Sequence, residues 1–172
     1  FIASMVADRV TAYDTETGNE QWRFYTDGPV RFAPVAYDGK LAFTSDDGSL
    51  YCLNAADGTL LWRVAGAPLK RQIIGNDRLV SMWTARGGPV LHDGTIYYGA
   101  GIWPFAGTFL HAVDAKTGTV RWSNSSSGAT WMQQPHGGAV SFSGVTPQGY
   151  IAACESRLIV PTGRSVPAGF DP

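Results

Sequence analysis

The sequence predicts an all-β fold, and three observations support this prediction. Glycine and proline are frequent among the 172 residues, with 21 Gly and 10 Pro, and both residue types form turns between short elements. The chain also contains 6 Trp, 7 Tyr and 8 Phe, and aromatic residues favour strands. The third observation is a series of short apolar runs, each of strand length, that are separated by Asp-Gly and Thr-Gly turns.

A pattern of thirteen residues occurs three times without gaps. The copies span 10–22, 50–62 and 110–122 and read VTAYDTETGNEQW, LYCLNAADGTLLW and LHAVDAKTGTVRW. Each copy has a small residue, an Asp or Asn, a Thr or Asp, a Gly and a closing Trp at fixed spacing. The tryptophans are Trp22, Trp62 and Trp122, so successive copies are 40 and 60 residues apart. A period near 40 with glycine turns and a fixed Trp is typical of the four-stranded blades of a β-propeller.

Each repeat also contains the strands that a blade requires. In the second repeat, four strand-like runs lie at 31–37, 40–44, 49–54 and 59–64. In the third repeat, the corresponding runs are 89–91, 95–98, 109–114 and 119–122. Asp-Gly between alternating apolar runs is a strong hairpin signal, so each repeat is predicted to form an antiparallel sheet. The one short helical turn that we predict lies within 124–135.

These runs divide the chain into parts of a propeller. We assign 1–27 to the end of a blade, 28–66 to a blade, 67–127 to a blade with a long crossing loop and 128–172 to the start of a further blade. About three to four blades form a partial propeller, because closed rings typically need 4–8 blades and open ends leave unpaired strand edges. The chain shows neither an initiator Met nor a signal peptide. We therefore expect the remaining blades to come from the same propeller or from another copy.

The repeated pattern has a mechanical explanation. We expect Asp14 and Asp114 to accept hydrogen bonds from nearby threonines and backbone N–H groups, which closes the turn between the third and fourth strands. Glycine supplies a positive φ there and leaves its peptide plane uncovered, so the Trp of one blade can stack on the glycine turn of the next. The predicted structural docking residues are Ala12, Asp14, Thr17, Gly18, Trp22, Cys52, Asn54, Asp57, Gly58, Trp62, Ala112, Asp114, Thr117, Gly118 and Trp122.

This pattern resembles the tryptophan-docking motif of pyrroloquinoline-quinone (PQQ) type, or quinoprotein-like, propeller repeats. The copies that end at Trp22 and Trp122 match the motif in full, and the copy that ends at Trp62 is a softened version. Segments 75–115 and 147–171 are also similar to large PQQ-like repeat proteins of planctomycete-type bacteria. The resemblance implies either a PQQ-dependent alcohol or sugar dehydrogenase, usually eight-bladed, or a scaffold lipoprotein of outer-membrane assembly that binds no quinone. It also implies a periplasmic or otherwise extracytoplasmic location.

Charge, hydropathy and cysteine count exclude several classes of partner and site. The formal net charge is −1, whereas nucleic-acid binding needs clustered positive charge, so we predict no nucleic-acid partner. No run of 18 apolar residues occurs, and we predict no membrane span. The two cysteines are too few for a zinc site of three or four cysteines. Cys52 and Cys154 could form one disulfide, but their apolar strand-like contexts favour two buried free thiols.

The long loops of the predicted blades share one face of the propeller. Loops between second and third strands, and crossings between blades, lie on the face that we call the long-loop face. The long segments 65–88, 99–108 and 123–147 belong to it, and binding residues concentrate in such loops. Low-specificity candidates for cofactor or ligand binding there are Arg71, Trp83, Arg86, Trp103, Trp131 and His136.

Each candidate has a functional and a structural interpretation. The tryptophans could stack on a flat ligand or a sugar ring, or they could cover the junction between loop and blade. Arg71, Arg86 and Arg164 could bind an anionic ligand, or they could be solvated or structural. The scattered histidines, His92, His111 and His136, do not favour a three-histidine metal site.

The catalytic residues of the dehydrogenases do not transfer to this sequence. The resemblance implies a Trp below the quinone, a Glu, Asn and Asp for calcium and base, and an Arg at the quinone oxygens. No acidic residue occurs in 94–113 or 115–154, and calcium needs several oxygen ligands. We therefore predict no metal site and no cofactor requirement for this segment, with the catalytic residues unknown. PQQ with calcium in the full-length protein is the alternative.

Two functions remain open at the level of the sequence. The first is a segment of a non-catalytic propeller that serves as a binding or assembly scaffold for a protein partner or small ligand on the long-loop face. The second is a segment of a PQQ-dependent dehydrogenase whose catalytic carboxylates lie outside this chain. The scarcity of acid–base groups in the long loops favours the first.

Overall fold

The computed structural model describes residues 1–134, 137–163 and 165–172. Within these ranges the chain forms nineteen β-strands and a single 3-10 turn, so the predicted all-β fold class is confirmed. Across the same ranges, no helix has the length and apolar character needed to cross a membrane. The strands form antiparallel sheets that follow one another along the chain, as the blades of a partial β-propeller do.

The first two sheets are simple meanders. The first has the order β1-β2-β3, with strands Ile2–Ser4, Arg9–Tyr13 and Glu20–Tyr25. The second has the order β4-β5-β6-β7, with strands Val35–Tyr37, Lys40–Thr44, Ser49–Asn54 and Leu60–Ala65. The second sheet is therefore a complete four-stranded blade. In both sheets the small residue of the motif is the register partner of the motif Trp, as in the pair Cys52 and Trp62.

The third sheet is a blade with additions in the crossings on either side. A hairpin of β8 (Gln72–Gly75) and β9 (Arg78–Ser81) precedes it. The blade itself has β10 (Gly87–His92), β11 (Thr95–Ala100), β12 (Phe109–Asp114) and β13 (Val120–Asn124), with the 3-10 turn Pro104–Ala106 between β11 and β12. A second hairpin follows, formed by β14 (Thr130–Gln133) and β15 (Val140–Ser143).

The chain then returns to the inner edge of the third sheet before it forms the last one. The short strand β16 (Gly149–Tyr150) pairs in parallel with β10. The last sheet has the order β17-β18-β19, with strands Ala152–Cys154, Arg157–Val160 and Ala168–Phe170. The crossings on the long-loop face thus contain ordered secondary structure.

Apolar side chains fill the spaces between successive sheets. Phe43 and Leu53 of the second sheet pack with Val10 of the first sheet, and all three are buried. Buried Leu50 and Val113 belong to the layer between the second and third sheets. A third layer joins the third and last sheets and contains residues such as Leu110, Leu158 and Val160. Each layer removes apolar surface from water, at about 25 cal/mol for each Å² that is buried.

Each of two motif tryptophans lies against the glycine turn of the following sheet. The turn glycines Gly58 and Gly118 have φ of 74° and 76°. A Cβ added to Gly58 would lie 2.6 Å from Trp22 Cε3, and one added to Gly118 would lie 2.8 Å from Trp62 Cδ2. Trp22 also donates from Nε1 to the carbonyl oxygen of Ala55 at 3.1 Å. The absence of a side chain on these glycines allows the indole to approach the turn.

Side-chain hydrogen bonds close the same turns. Asp14 Oδ1 accepts from the backbone N–H of Thr17 at 2.7 Å and from its hydroxyl at 2.9 Å. Asp114 Oδ1 makes the corresponding bonds with Thr117 at 2.8 and 2.9 Å. Arg121 and these threonine groups lower the pKa of Asp114, because they stabilise its ionised form. The turn of the second sheet differs, since Asp57 accepts from Thr59.

Two strand-level expectations are wrong. The predicted run 31–37 is a strand only over Val35–Tyr37, because Pro34 has no N–H for a ladder and Arg31 is held by an ion pair. The helical turn predicted within 124–135 is instead the strand Thr130–Gln133, which pairs with β15.

Candidate binding site on the long-loop face

A cavity of about 640 Å³ lies on the long-loop face, between the β11–β12 loop and the second hairpin. We call it the aromatic cavity. Its described lining residues are Ile102, Trp103, Pro104, Phe105, Trp131, Ser141, Phe142, Ser143, Thr146, Gln148 and Gly163. The volume is within the range that suits a small-molecule ligand. Two of the predicted candidates, Trp103 and Trp131, therefore contribute to one site from different loops.

Four aromatic rings of the cavity are partly open to solvent. Trp103 directly precedes the 3-10 turn and Phe105 lies within it, and their ring centroids are 6.0 Å apart. Trp131 and Phe142 are register partners in the second hairpin and make an edge-to-face contact at 4.9 Å. Trp131 is 61% exposed and Phe105 is 72% exposed, which is high for such large rings. Exposed aromatic surface of this extent in a concave site typically marks a binding site.

Trp83 holds the first wall of the cavity and does not line it. Its side chain is 6% exposed, and its Nε1 donates to the carbonyl oxygen of Ala106 at 2.7 Å. The backbone N–H of Gly101 donates to the carbonyl oxygen of Thr84 at 3.0 Å. These bonds fix both ends of the loop that carries Trp103. The ligand-stacking interpretation of Trp83 is therefore wrong, because the buried ring is used inside the fold.

The second wall is tied to the same blade by hydrogen bonds. Thr108 Oγ1 donates to the carbonyl oxygen of Val145 at 2.7 Å, which joins the β11–β12 loop to the segment after the hairpin. The backbone N–H of Gly163 donates to Thr146 Oγ1 at 3.1 Å. Together with the Trp83 bond, these contacts hold the loop of Trp103 and the segment after the second hairpin against the third sheet.

Uncharged polar groups also line the aromatic cavity. Ser141 and Ser143 alternate with Phe142 along β15, and Gln148 lies in the following segment. Within the described part of the chain, the side chains of these three polar residues have no hydrogen-bond partner. Hydroxyl and amide groups at a concave aromatic surface can give direction and specificity to a ligand. Sequence reasoning missed Phe142 and the serines, although glycines between two apolar runs indicate a hairpin.

Arg86 is bound to an internal carboxylate. Asp46 is 1% exposed and lies in the loop between β5 and β6. Its carboxylate accepts from Arg31 Nε at 2.7 Å, and from Arg86 Nε and Nη2 at 3.2 and 3.0 Å. Two guanidinium groups from successive crossings thus neutralise one buried charge. Asp46 engages Nε and Nη2 of Arg86, which supports the structural interpretation of this residue over the ligand-binding one.

Arg71 belongs to a different cavity. It lines a space of about 420 Å³ beside the crossing that follows β7, together with Arg63, Lys70, Asp27 and Asp47. Charges of both signs are present there. The structure therefore separates Arg71 from the aromatic residues. The remaining candidates, His136 and Arg164, lie outside the described residues.

The buried histidine of the third sheet is structural. His111 Nε2 lies 3.0 Å from the carbonyl oxygen of Gly66, and its Nδ1 lies 2.7 Å from Ser123 Oγ. The carbonyl can only accept, so Nε2 carries the proton and Nδ1 accepts from the serine hydroxyl. Burial lowers the pKa of His111 below its ordinary value of 6.5, and the Gly66 bond opposes this shift. The ring is therefore neutral near pH 7.

Cysteines and metal-binding groups complete the inventory of reactive side chains. Cys52 is buried and free, as expected, but Cys154 is exposed. The expectation of a second buried thiol is wrong because β17 has only one paired edge and its ends face solvent. In the described ranges, no group of three or more His, Cys, Asp or Glu side chains could hold a metal ion.

The chain is similar in sequence to several known proteins. Residues 1–153 match the family model described as outer membrane protein assembly factor BamB. The serine/threonine-protein kinase AfsK of Streptomyces griseus is 36% identical over 133 residues, which is 73% of this chain and 13% of that protein. The dehydrogenase subunit of a quinone alcohol dehydrogenase of Gluconobacter oxydans is 32% identical over 126 residues, 66% of this chain and 16% of that protein.

A solved structure supports the same fold. BamB from Moraxella catarrhalis superimposes with a TM-score of 0.64 at 17% identity, covering 96% of this chain and 44% of that one. The chain thus spans less than half of each of these relatives. These relatives are a kinase, a dehydrogenase and an assembly factor. What they share with this chain is the repeat and not one activity.

The dehydrogenase relatives imply PQQ, and the described residues do not fit it. PQQ is a flat quinone that carries three carboxylates. The described residues that line the aromatic cavity bring no charge to match them. A buried carboxylate on this face, Asp46, is already paired with two arginines, so it is not free to bind calcium.

Proposed function

The chain belongs to the PQQ-like repeat family described as outer membrane protein assembly factor BamB, and from that premise we propose that it is a segment of an extracytoplasmic propeller. In this proposal the propeller acts as a non-catalytic binding or assembly scaffold. Its partner is a protein or a small ligand that contacts the long-loop face. Nucleic acid has no part in the proposal, since the net charge is −1.

The aromatic cavity is the observation that supports this function. It presents open aromatic rings on walls that hydrogen bonds hold in place. Fixed walls favour binding because little conformational entropy is lost when a ligand enters. Arg86, a candidate with a charged side chain, is used internally in its ion pair with Asp46. Such a surface is suited to binding and offers no acid–base pair among its described residues.

We further propose how the segment is assembled. The four parts 1–27, 28–66, 67–127 and 128–172 correspond to successive blades, and the docking tryptophans hold neighbouring blades together. The contacts of Trp22 with Gly58 and of Trp62 with Gly118 support this role. Further blades from the same propeller or from another copy would complete the ring. We propose an extracytoplasmic, periplasmic location, which the family supports and which would suit a scaffold for outer-membrane assembly.

A second candidate function is favoured by the quinone alcohol dehydrogenase relative, which is 32% identical. In that case the chain is a segment of a PQQ-dependent alcohol or sugar dehydrogenase. PQQ and calcium would then be held by residues outside this chain, and this segment would supply a structural part of the ring. Its own described residues would support the ring through the docking contacts.

A titration of the intact protein with PQQ and calcium, followed by dye-linked oxidation of alcohols and sugars, separates the two functions. We expect no quinone-dependent oxidation. We also expect a bound partner that is released by Trp103→Ala and Trp131→Ala and retained by Tyr13→Ala, since Tyr13 is exposed on the opposite face. Quinone-dependent turnover would refute the scaffold proposal.

A further inference from the structure

The aromatic cavity combines open aromatic faces with uncharged polar groups. Trp103 is 45% exposed, and Trp131 is more exposed still. Ser141, Ser143 and Gln148 lie in the same cavity and have no side-chain partner within the described part of the chain. From this combination we infer that the cavity binds a neutral saccharide. The inference rests on the proposed binding function, because it names the class of ligand for that site.

A pyranose ring is chemically complementary to this cavity. One face of the ring carries C–H groups that pack on an indole, and its edge carries hydroxyl groups that both donate and accept hydrogen bonds. Trp103 and Trp131 offer flat surfaces from two independent loops, so a chain of two or more sugar units could contact both. The serine hydroxyls and the Gln148 amide could satisfy the edge hydroxyls.

Other ligand chemistries match the cavity less well. A purely apolar ligand would remove water from Ser141, Ser143 and Gln148 without replacing its hydrogen bonds. Each polar group left unpaired in this way weakens binding by about tenfold. An anionic ligand would bury its charge against described lining residues that carry none. An extended peptide remains the competing occupant.

The walls of the cavity are already in place for a rigid ligand. The bond from Trp83 Nε1 to the Ala106 carbonyl fixes the loop of Trp103. The bond from Thr108 Oγ1 to the Val145 carbonyl fixes the segment after the hairpin of Trp131. Sugar-binding sites depend on this kind of fixed spacing, because the ligand has many hydroxyls and each needs a partner at the right position.

The test is isothermal titration of the intact protein with cellotetraose, maltotetraose and N-acetylated chitotetraose. We expect at least one of these neutral probes to bind. Trp131→Ala should weaken that binding by about tenfold or more, because one stacking surface is lost. Gln148→Ala should weaken it by a similar factor while leaving every aromatic ring in place. Tyr13→Ala is the matched control for loss of an exposed ring and should bind as the parent does, with thermal midpoints confirming that all variants fold.

Four results would overturn the inference. They are failure of all three probes to bind, equal binding by Trp131→Ala, unchanged binding by Gln148→Ala, and tighter binding of tetragalacturonate than of any neutral probe. A peptide or protein that requires Trp131 while the saccharides fail would refute the saccharide and leave the scaffold function standing. Quinone-dependent oxidation, in contrast, would refute the scaffold function and would not by itself affect saccharide binding.

Discussion

Replacing Gly58 by alanine isolates the contribution of an indole packed on a glycine turn. Gly58 has a φ of 74°, and its added Cβ would lie 2.6 Å from the Trp22 ring. Gly39 lies in the same sheet with a φ of 70° and has no atom within 4 Å of its added Cβ. Both substitutions therefore impose the same backbone strain, but only Gly58→Ala also displaces a neighbouring ring.

The magnitudes follow from these two terms. An alanine in the left-handed region costs about 1–2 kcal/mol, which applies to both variants. Overpacking against a ring that is held by its neighbours costs about 1–3 kcal/mol more, which applies to Gly58→Ala alone. We expect Gly39→Ala to lower the free energy of unfolding by about 1–2 kcal/mol and Gly58→Ala by about 2–5 kcal/mol.

Urea unfolding followed by tryptophan fluorescence measures both values, and the slopes show whether the unfolding transition is preserved. Gly118→Ala, whose added Cβ would contact the Trp62 ring, should lower the free energy of unfolding by a similar amount. Equal losses for Gly39→Ala and Gly58→Ala would show that the indole contact adds nothing to stability. The docking role of the repeated tryptophans would then be refuted.

Four further predictions concern the interior of the fold. Trp62→Ala should lower the free energy of unfolding by about 3–5 kcal/mol, and a thermal midpoint equal to that of the parent would contradict this. Asp46→Asn should lower it by about 3–5 kcal/mol in urea unfolding, because Arg31 and Arg86 lose a shared counter-charge; a loss no larger than that of an exposed control such as Asp93→Asn would contradict it. The free energy of unfolding should be constant well above pH 6.5 and fall as the pH drops through 6.5. The reason is that burial lowers the pKa of His111 in the folded state, so the unfolded chain takes up a proton first. His111→Asn should flatten this profile. Tyr37→Phe should lower the free energy of unfolding by about 0.5–1.5 kcal/mol, because it removes the hydrogen bond that the Tyr37 hydroxyl donates to the Ala115 carbonyl at 2.8 Å; a thermal midpoint equal to that of the parent would contradict this.

The sequence predicted the regular parts of the fold because local signals specify them. Asp38-Gly39 and Asp93-Gly94 form tight turns with positive φ at both positions, as their residue types indicate. The repeated motif likewise places its Asp and Thr in one turn, since all the hydrogen bonds there join residues close in the chain. Short-range chemistry of this kind is readable without a structure.

The candidate site was less predictable because its partners are distant in the chain. Nothing near Arg86 indicates that its counter-charge is Asp46, 40 positions earlier. Trp83 looked equivalent to Trp103, yet the Ala106 carbonyl takes its Nε1 and only Trp103 faces the cavity. The residue type in a long loop therefore indicates which ligands its side chain could bind. Its tertiary hydrogen-bond partners decide whether that side chain is available to bind them.

The shared carboxylate of Asp46 has a consequence for rearranging these repeats by recombination. A cut between residues 66 and 67 looks neutral, because each piece keeps its own four-stranded unit. It nevertheless removes Arg86 from Asp46 and leaves that acid with Arg31 alone. A chimera that exchanges the downstream unit must therefore bring an arginine to the same place, or the buried Asp46 carboxylate loses the two hydrogen bonds that Arg86 donates.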